Sequence, residues 1–216
     1  MRSIIAILLA IFVASCAQNE VKEEYTVISG KLSNSDIESV RLISIDGDFN
    51  KEIPVSKEGR FLDTLFLTAD MPHRLTDGNN HIVLYLEKGY AVHLDYNPKD
   101  FAHTIQFEGD GADLNRYYLK KQEKNREIEG TDFESFYGLE ESDFIQKVEE
   151  LNLAIHELLA STANIPDYVR EKEKRAIDYY SIIQLGQYKD FGHADVTANP
   201  DFKVSENFVD KRSNMS

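Results

Sequence analysis

The chain has 216 residues, 24 basic against 38 acidic, a formal net charge of −14, 42% hydrophobic residues and one cysteine. Its 11 Tyr and 12 Phe supply enough apolar surface to exclude a wholly disordered chain. The acidic balance argues against nucleic acid, which needs a basic face, and against electrostatic docking to anionic headgroups. A single cysteine leaves no internal disulfide, no Cys-x-x-Cys pair and no cysteine-based zinc site.

The chain opens with Met1-Arg2-Ser3 and runs into 11 uninterrupted apolar residues, 4–14. A membrane-spanning helix needs about 20, so this run matches the apolar core of a secretory signal. It ends in Val13-Ala14-Ser15-Cys16, which resembles a bacterial lipobox. The resemblance implies cleavage between Ser15 and Cys16, lipidation of the Cys16 thiol and Cys16 as the mature N-terminus. An ordinary signal with an incidental cysteine is the alternative. Residues 1–15 are thus expected to be a signal peptide and 16–24, which are polar, a tether. Ala17 and Gln18 behind the cysteine do not suggest inner-membrane retention, so an outer-membrane lipoprotein facing the periplasm is expected, with surface export, which the acids Glu20, Glu23 and Glu24 leave open, as the alternative. More than one acyl chain makes such an anchor stable.

Residues 25–109 carry a β pattern. Strands are expected over 25–32, 40–45, 60–67, 72–76, 81–86, 90–96 and 101–107, separated by turn pairs such as Asp46-Gly47 and Asp77-Gly78. Residues 81–96, around Glu87-Lys88-Gly89, read as a hairpin. Short strands with turns every 8–12 residues suggest an antiparallel sandwich or barrel-like sheet.

From Asp110 the pattern turns helical, giving an α+β chain with about three helices over 110–190. Residues 112–129 favour helix; Thr131 and Glu134 fit a capping box. Residues 142–161 place Phe144, Val148, Leu151, Ile155 and Leu158 on one face. Pro166 suits a helix start, with Val169, Ala176, Tyr180 and Ile183 as the stripe that follows. The mixed-charge run 170–175 reads as a solvated face. Residues 191–216 are expected to form an irregular tail.

Several constellations invite chemistry. His73, His81, His93 and His103 are common metal-ligand types, but their spacing fits no compact motif, so no metal and no cofactor are expected. His103, in phase with Phe101, Ile105 and Phe107, is expected to be semi-buried. Glu140-Glu141, Glu149-Glu150 and Asp110 do not set two carboxylates across a cleft, as glycoside hydrolysis requires. Gly109-Asp110-Gly111 lacks the rest of a phosphate loop and reads as a hinge, with Asp110 or Asp113 capping the next helix. Tyr117, Tyr118, Phe133, Phe136, Tyr137, Tyr179 and Tyr180 are expected to pack sheet against helices. A peptide groove, with strand addition at a free sheet edge, is the alternative.

One resemblance spans residues 25–208. Leu84-Tyr85-Leu86-Glu87-Lys88-Gly89-Tyr90 leads into Val92-His93-Leu94; then come residues 105–119, with Phe107, Gly109, Gly111, Ala112 and Asn115 as their most specific positions; then Asn199-Pro200-Asp201-Phe202-Lys203. This resembles the region before the thioredoxin domain in Bacteroidetes-type TlpA-like disulfide-reductase lipoproteins. In that family a later thioredoxin domain carries the Cys-x-x-Cys pair needed for thiol–disulfide exchange. No such pair occurs here, so no catalytic residue carries over. The expected function is a lipid-anchored, non-enzymatic accessory module for a protein or peptide partner, a thioredoxin-fold domain among the candidates. The alternatives are the anchored part of a reductase with a separate thioredoxin domain, and a ligand- or glycan-binding lipoprotein.

Overall fold

Alternation of apolar and polar residues over short β-branched runs buries every second side chain, and the computed structural model turns these runs into strands. It describes residues 25–214; the signal, the tether, Ser15 and Cys16 lie outside the described residues. The strands are β1 (Thr26–Leu32), β2 (Ser39–Ser44), β3 (Asn50–Pro54), β4 (Arg60–Leu65), β5 (Met71–Thr76), β6 (His81–Leu86), β7 (Ala91–Tyr96) and β8 (Gln106–Gly109). They form two four-stranded sheets, ordered β4-β1-β7-β8 and β3-β2-β5-β6. All pairings are antiparallel except β1 with β7, which runs parallel from Val27 beside Ala91 to Leu32 beside Tyr96. The sheets stack as an open sandwich around Ile28, Leu42, Leu65, Leu75, Leu84 and Leu94, none of which meets solvent. Each such side chain stabilises the fold by roughly 1.5–3 kcal/mol.

The helical half follows. After a 3₁₀ turn (Pro98–Asp100) come α1 (Phe101–Thr104), α2 (Ala112–Glu129), α3 (Phe133–Tyr137), α4 (Glu141–Ser161), α5 (Asp167–Gln187), a π-turn (Tyr188–Gly192), α6 (His193–Thr197) and α7 (Glu206–Asn214). α2 lies on the outer face of β6, and α4 packs against both α2 and α5. Among the described residues no helix is long and apolar enough to cross a membrane.

The α+β class, with a β-sandwich ahead of the helices and no closed barrel, agrees with the pattern in the sequence. Several finer expectations do not. β6 and β7 are no hairpin. The turn between them closes, with the Tyr90 N–H donating to the Glu87 carbonyl at 3.1 Å. The strands then part into different sheets, β6 onto β5 and β7 onto β1. Alternation cannot tell the two outcomes apart, because either sheet buries the same face.

β3, polar at three of its five positions, carries no apolar alternation that would predict it; only Ile53 points into the core. Residues 101–107 are not one strand. Asn97 Oδ1 accepts from the Lys99 N–H at 3.1 Å and Pro98 starts a turn, so the chain coils before β8 begins. His103 consequently faces solvent rather than the core, with its side chain 84% exposed. The expected irregular tail is ordered over its described part, 191–214: α6 and α7 form there, and Phe208 is fully buried against Tyr188, 5.5 Å between ring centroids.

Helix caps also shift. Asp132, not Thr131, accepts from the Glu134 and Ser135 N–H groups. Neither Asp110 nor Asp113 caps α2, whose N-cap is Gly111 in the left-handed region.

Candidate functional site

The joint between sandwich and helices gathers the five motif positions. Phe107 fills the sandwich core and Ala112 packs beside it. Gly109 sits at φ +82°, and a Cβ there would lie 2.1 Å from the Ala91 carbonyl oxygen. Asp110 grips the same residue, accepting from the Ala91 N–H at 2.8 Å and donating its own N–H to the Ala91 carbonyl at 3.0 Å. Asn115 is fully buried. Its Oδ1 accepts from the Tyr85 N–H at 2.7 Å and its Nδ2 donates to the Tyr85 carbonyl at 3.3 Å. One carboxamide therefore pairs with the free edge of β6 as a neighbouring strand would. Arg116 covers the other end strand, donating from Nη1 to the Phe107 carbonyl at 2.8 Å. These motif residues build a joint; they do not converge on a cavity.

A narrower, more enclosed cavity lies among the helices. α2 and α5 both pack on α4 and meet each other through long side chains, which leaves a slot of about 240 Å³ above α4. Its floor is Leu151, Ile155 and Ile177, all buried. Its polar lining is Lys121, Asn125, Asn152, Tyr180 and Ser181. Two carboxylates stand behind the lining side chains, one bonded to Lys121 and one to Tyr180. The first, buried Glu173, accepts from the Tyr117 hydroxyl at 2.9 Å, the Tyr118 hydroxyl at 2.7 Å and Lys121 Nζ at 2.6 Å. The second, Glu129, accepts from the Tyr180 hydroxyl at 2.9 Å and from Gln184 Nε2 at 3.2 Å. Burial raises the Glu129 pKa against the lowering effect of the Tyr180 hydrogen bond. Burial also pushes the neighbouring Tyr137 hydroxyl up to about 12.

Between the two carboxylates the hydrogen-bonding groups are partly unspent. Asn152 donates from Nδ2 to Ser181 Oγ at 3.0 Å and to Asp178 at 3.2 Å, leaving its carbonyl oxygen as an acceptor. Asn125 lines the slot one helical turn from both Lys121 and Glu129. An apolar floor with a few convergent polar groups is the make-up of a binding site.

The sequence placed the α5 stripe one position out of phase. The buried set is Val169, Glu173, Ile177, Ser181 and Leu185, while Ala176 is exposed and Ile183 is 37% exposed. An apolar-only search passes over Glu173 because its burial rests on partners from another helix.

The aromatic set divides. Tyr117 and Tyr118 do pack between helices and sheet, Tyr118 stacked with Tyr85 at 6.2 Å. Phe136 and Tyr137 instead join a separate cluster with Phe144 and Tyr188, and Phe133 and Tyr179 are at least half-exposed.

The four histidines of the β-domain do not gather, and among the described residues no three His, Cys, Asp or Glu side chains could hold a metal ion. His73 is buried in the second sheet, its Nδ1 2.9 Å from the Met71 carbonyl, and desolvation lowers its pKa. Exposed His103 pairs with Asp100, whose hydrogen bond raises its pKa. Glu149 and Glu150 serve different lysines, Lys211 and Lys147.

The parallel β1–β7 register creates one alignment invisible in the sequence. Ser29 Oγ lies 2.9 Å from His93 Nδ1, and His93 Nε2 lies 2.9 Å from Asp95 Oδ1. The order suggests a hydrolytic triad. These residues stand on an open sheet face, however, and the flanking backbone N–H groups are committed to inter-strand pairing, so no donor pair remains for an oxyanion. The trio is a surface network.

No family model matches the chain, and no curated protein matches it. Among solved structures it overlays on a DUF3823 family protein from Parabacteroides merdae, at 14% identity and a TM-score of 0.25. The overlay covers 35% of this chain and 45% of that one. A likeness of that size carries no argument about activity or ancestry.

Proposed function

We propose that this chain is a lipid-anchored cell-envelope protein whose sandwich and helices form a non-catalytic module for binding a partner polypeptide. The observation that carries the binding reading is the slot above α4, preformed, apolar at its floor and lined by carboxamides with spare hydrogen-bonding capacity. The anchor rests on the lipobox-like Val13-Ala14-Ser15-Cys16 behind the apolar run. Eight residues, 17–24, lie between Cys16 and Tyr25, and those nine steps of chain would reach about 30 Å when extended. The net charge of −14 makes lipid, rather than headgroup attraction, the force that holds the protein at the membrane. The outer membrane, with the module facing the periplasm, is the proposed location.

Fractionation of cells expressing the full chain tests the anchor. The wild type should partition with membranes and Cys16→Ala should not. Unchanged partition of the variant overturns the anchor.

A second reading is favoured by the joint. Phe107, Gly109, Gly111, Ala112 and Asn115 are the positions most similar to TlpA-like lipoproteins, and each has a defined structural task between β8 and α2. On that reading the chain is the anchored part of a thiol–disulfide reductase whose thioredoxin-fold domain is encoded separately. Insulin reduction separates the two. The chain alone should give no turnover; catalysis by it alone would overturn the non-enzymatic reading, and catalysis dependent on an added thioredoxin-fold partner would favour the second.

A further inference from the structure

We propose that the slot between α2 and α5 is an anchor pocket for one aliphatic side chain of an extended partner segment, with a basic residue next to it. This rests on the reading of the chain as a binding module and names the chemistry of its partner.

Size is the first argument. At about 240 Å³ the slot falls below the roughly 300–1,000 Å³ of sites that enclose whole small-molecule ligands. It is large enough for one branched side chain and its peptide group. Length agrees. The lining runs from Lys121 to Asn125 on α2 and from Ala176 to Ser181 on α5, about 6–8 Å of helix, which two or three residues of extended chain would cover.

The lining is the second argument. Leu151, Ile155 and Ile177 offer hydrocarbon at the floor, and Ala176 on the rim is small enough to leave the mouth open. Above them the Asn125 carboxamide and the free carbonyl of Asn152 present both donor and acceptor, the pairing a peptide group needs. A purely hydrocarbon ligand would leave these groups dry and unpaired.

Charge is the third. The two carboxylates differ in how they are neutralised. Glu173 has Lys121 at 2.6 Å. Glu129 is held by the neutral partners Tyr180 and Gln184. Glu129 lies one hydrogen bond behind the lining Tyr180, so a cation held over Tyr180 would be drawn towards it and an added carboxylate would be repelled.

The test uses the full chain and three short probes: N-acetyl-leucyl-lysine methylamide, its glycyl-lysine analogue and its leucyl-glutamate analogue. Backbone amide shifts in α2 and α5 are followed as each is titrated. The leucyl-lysine probe should saturate, and the other two should bind at least about tenfold more weakly, the loss expected for one buried aliphatic side chain or one unfavourable charge. Ala176→Phe should fill the slot and abolish binding; its site is exposed on α5, so the fold should survive. Asn125→Leu should weaken binding while keeping side-chain bulk. Equal binding of all three probes, no binding of any, or binding indifferent to Ala176→Phe would overturn the assignment. The module reading is judged separately, by in-cell crosslinking of the wild type. If wild type and Ala176→Phe capture the same envelope protein equally, the slot assignment falls and the module reading stands. If neither captures any, the module reading falls too.

Discussion

Glu173 is the residue on which most of the helical core's polar geometry depends. It is 7% exposed and satisfies three donors from α2. The Tyr117 and Tyr118 hydroxyls are held well above their ordinary pKa, first by burial and then by the facing carboxylate, so they stay protonated as donors. Removing the acceptor strands all three. Glu173→Ala should therefore cost roughly 3–5 kcal/mol in urea denaturation, as expected when one member of a buried pair is deleted. Tyr118→Phe, which removes a single donor, should cost about 1.5–3 kcal/mol. Equal losses in the two variants would show that Glu173 is not the hub.

Glu129 makes the opposite prediction. Its carboxyl pKa is raised above the ordinary 4.5 by burial, so the folded state binds its proton more tightly than the unfolded state does. The associated stability is present below about pH 4.5 and is lost as pH rises through the folded-state value. Glu129→Gln keeps an acceptor for Tyr180 and removes that loss. The variant should be more stable than wild type at pH 7 and converge with it towards pH 4. A constant offset between those two pH values would refute the assignment. Neither acid stood out in the sequence, because a carboxylate at a buried helix position looks like a break in the apolar stripe until its partners on another helix are known.

At the scale of elements, the joint between β8 and α2 decides how the two halves meet. Gly109 and Gly78 provide a matched pair, at φ +82° and +96°. A methyl at Gly78 meets nothing within 4 Å, whereas at Gly109 it would run into the Ala91 carbonyl oxygen at 2.1 Å. Gly78→Ala should cost only the conformational penalty of about 1–2 kcal/mol. Gly109→Ala adds a backbone collision and should cost roughly 2–5 kcal/mol, because β7 and β8 must separate. Thermal denaturation of the two variants reads the difference directly, and equal melting points would mean that the joint is soft.

The elements also show what local pattern can and cannot carry. Apolar spacing placed α4 to within a residue, since Phe144, Val148, Leu151 and Ile155 all face the core. The same reasoning failed where pairing is non-local. β6 and β7 look like a hairpin because their turn is one, yet β7 finds β1, which precedes it by more than 60 residues. The slot suffers from the same limit. Its lining comes from three helices, and no interval in the sequence connects Asn125, Asn152 and Ser181.

At the scale of the whole molecule, the described residues form three apolar cores that share walls. The sandwich core is internal to the β-domain, but β6 is buried on both faces: Leu84 points inward while Val83 and Tyr85 pack under α2 beside Leu114 and Tyr118. A third core ties α3, α4 and α5 to Phe208 near the far end of the chain. Because β6 belongs to two of these cores, the β-domain should not stand as a unit without α2. A fragment ending at Gly109 would expose Tyr85 and leave the β6 edge without the two Asn115 hydrogen bonds that cover it. That fragment should bind a hydrophobic dye and lack a cooperative thermal transition. Extending it to the end of α2 should restore part of the cooperativity, since Asn115, Leu114 and Tyr118 return together. If the shorter fragment instead melts as sharply as the full chain, the sandwich is autonomous and the joint merely connects two units.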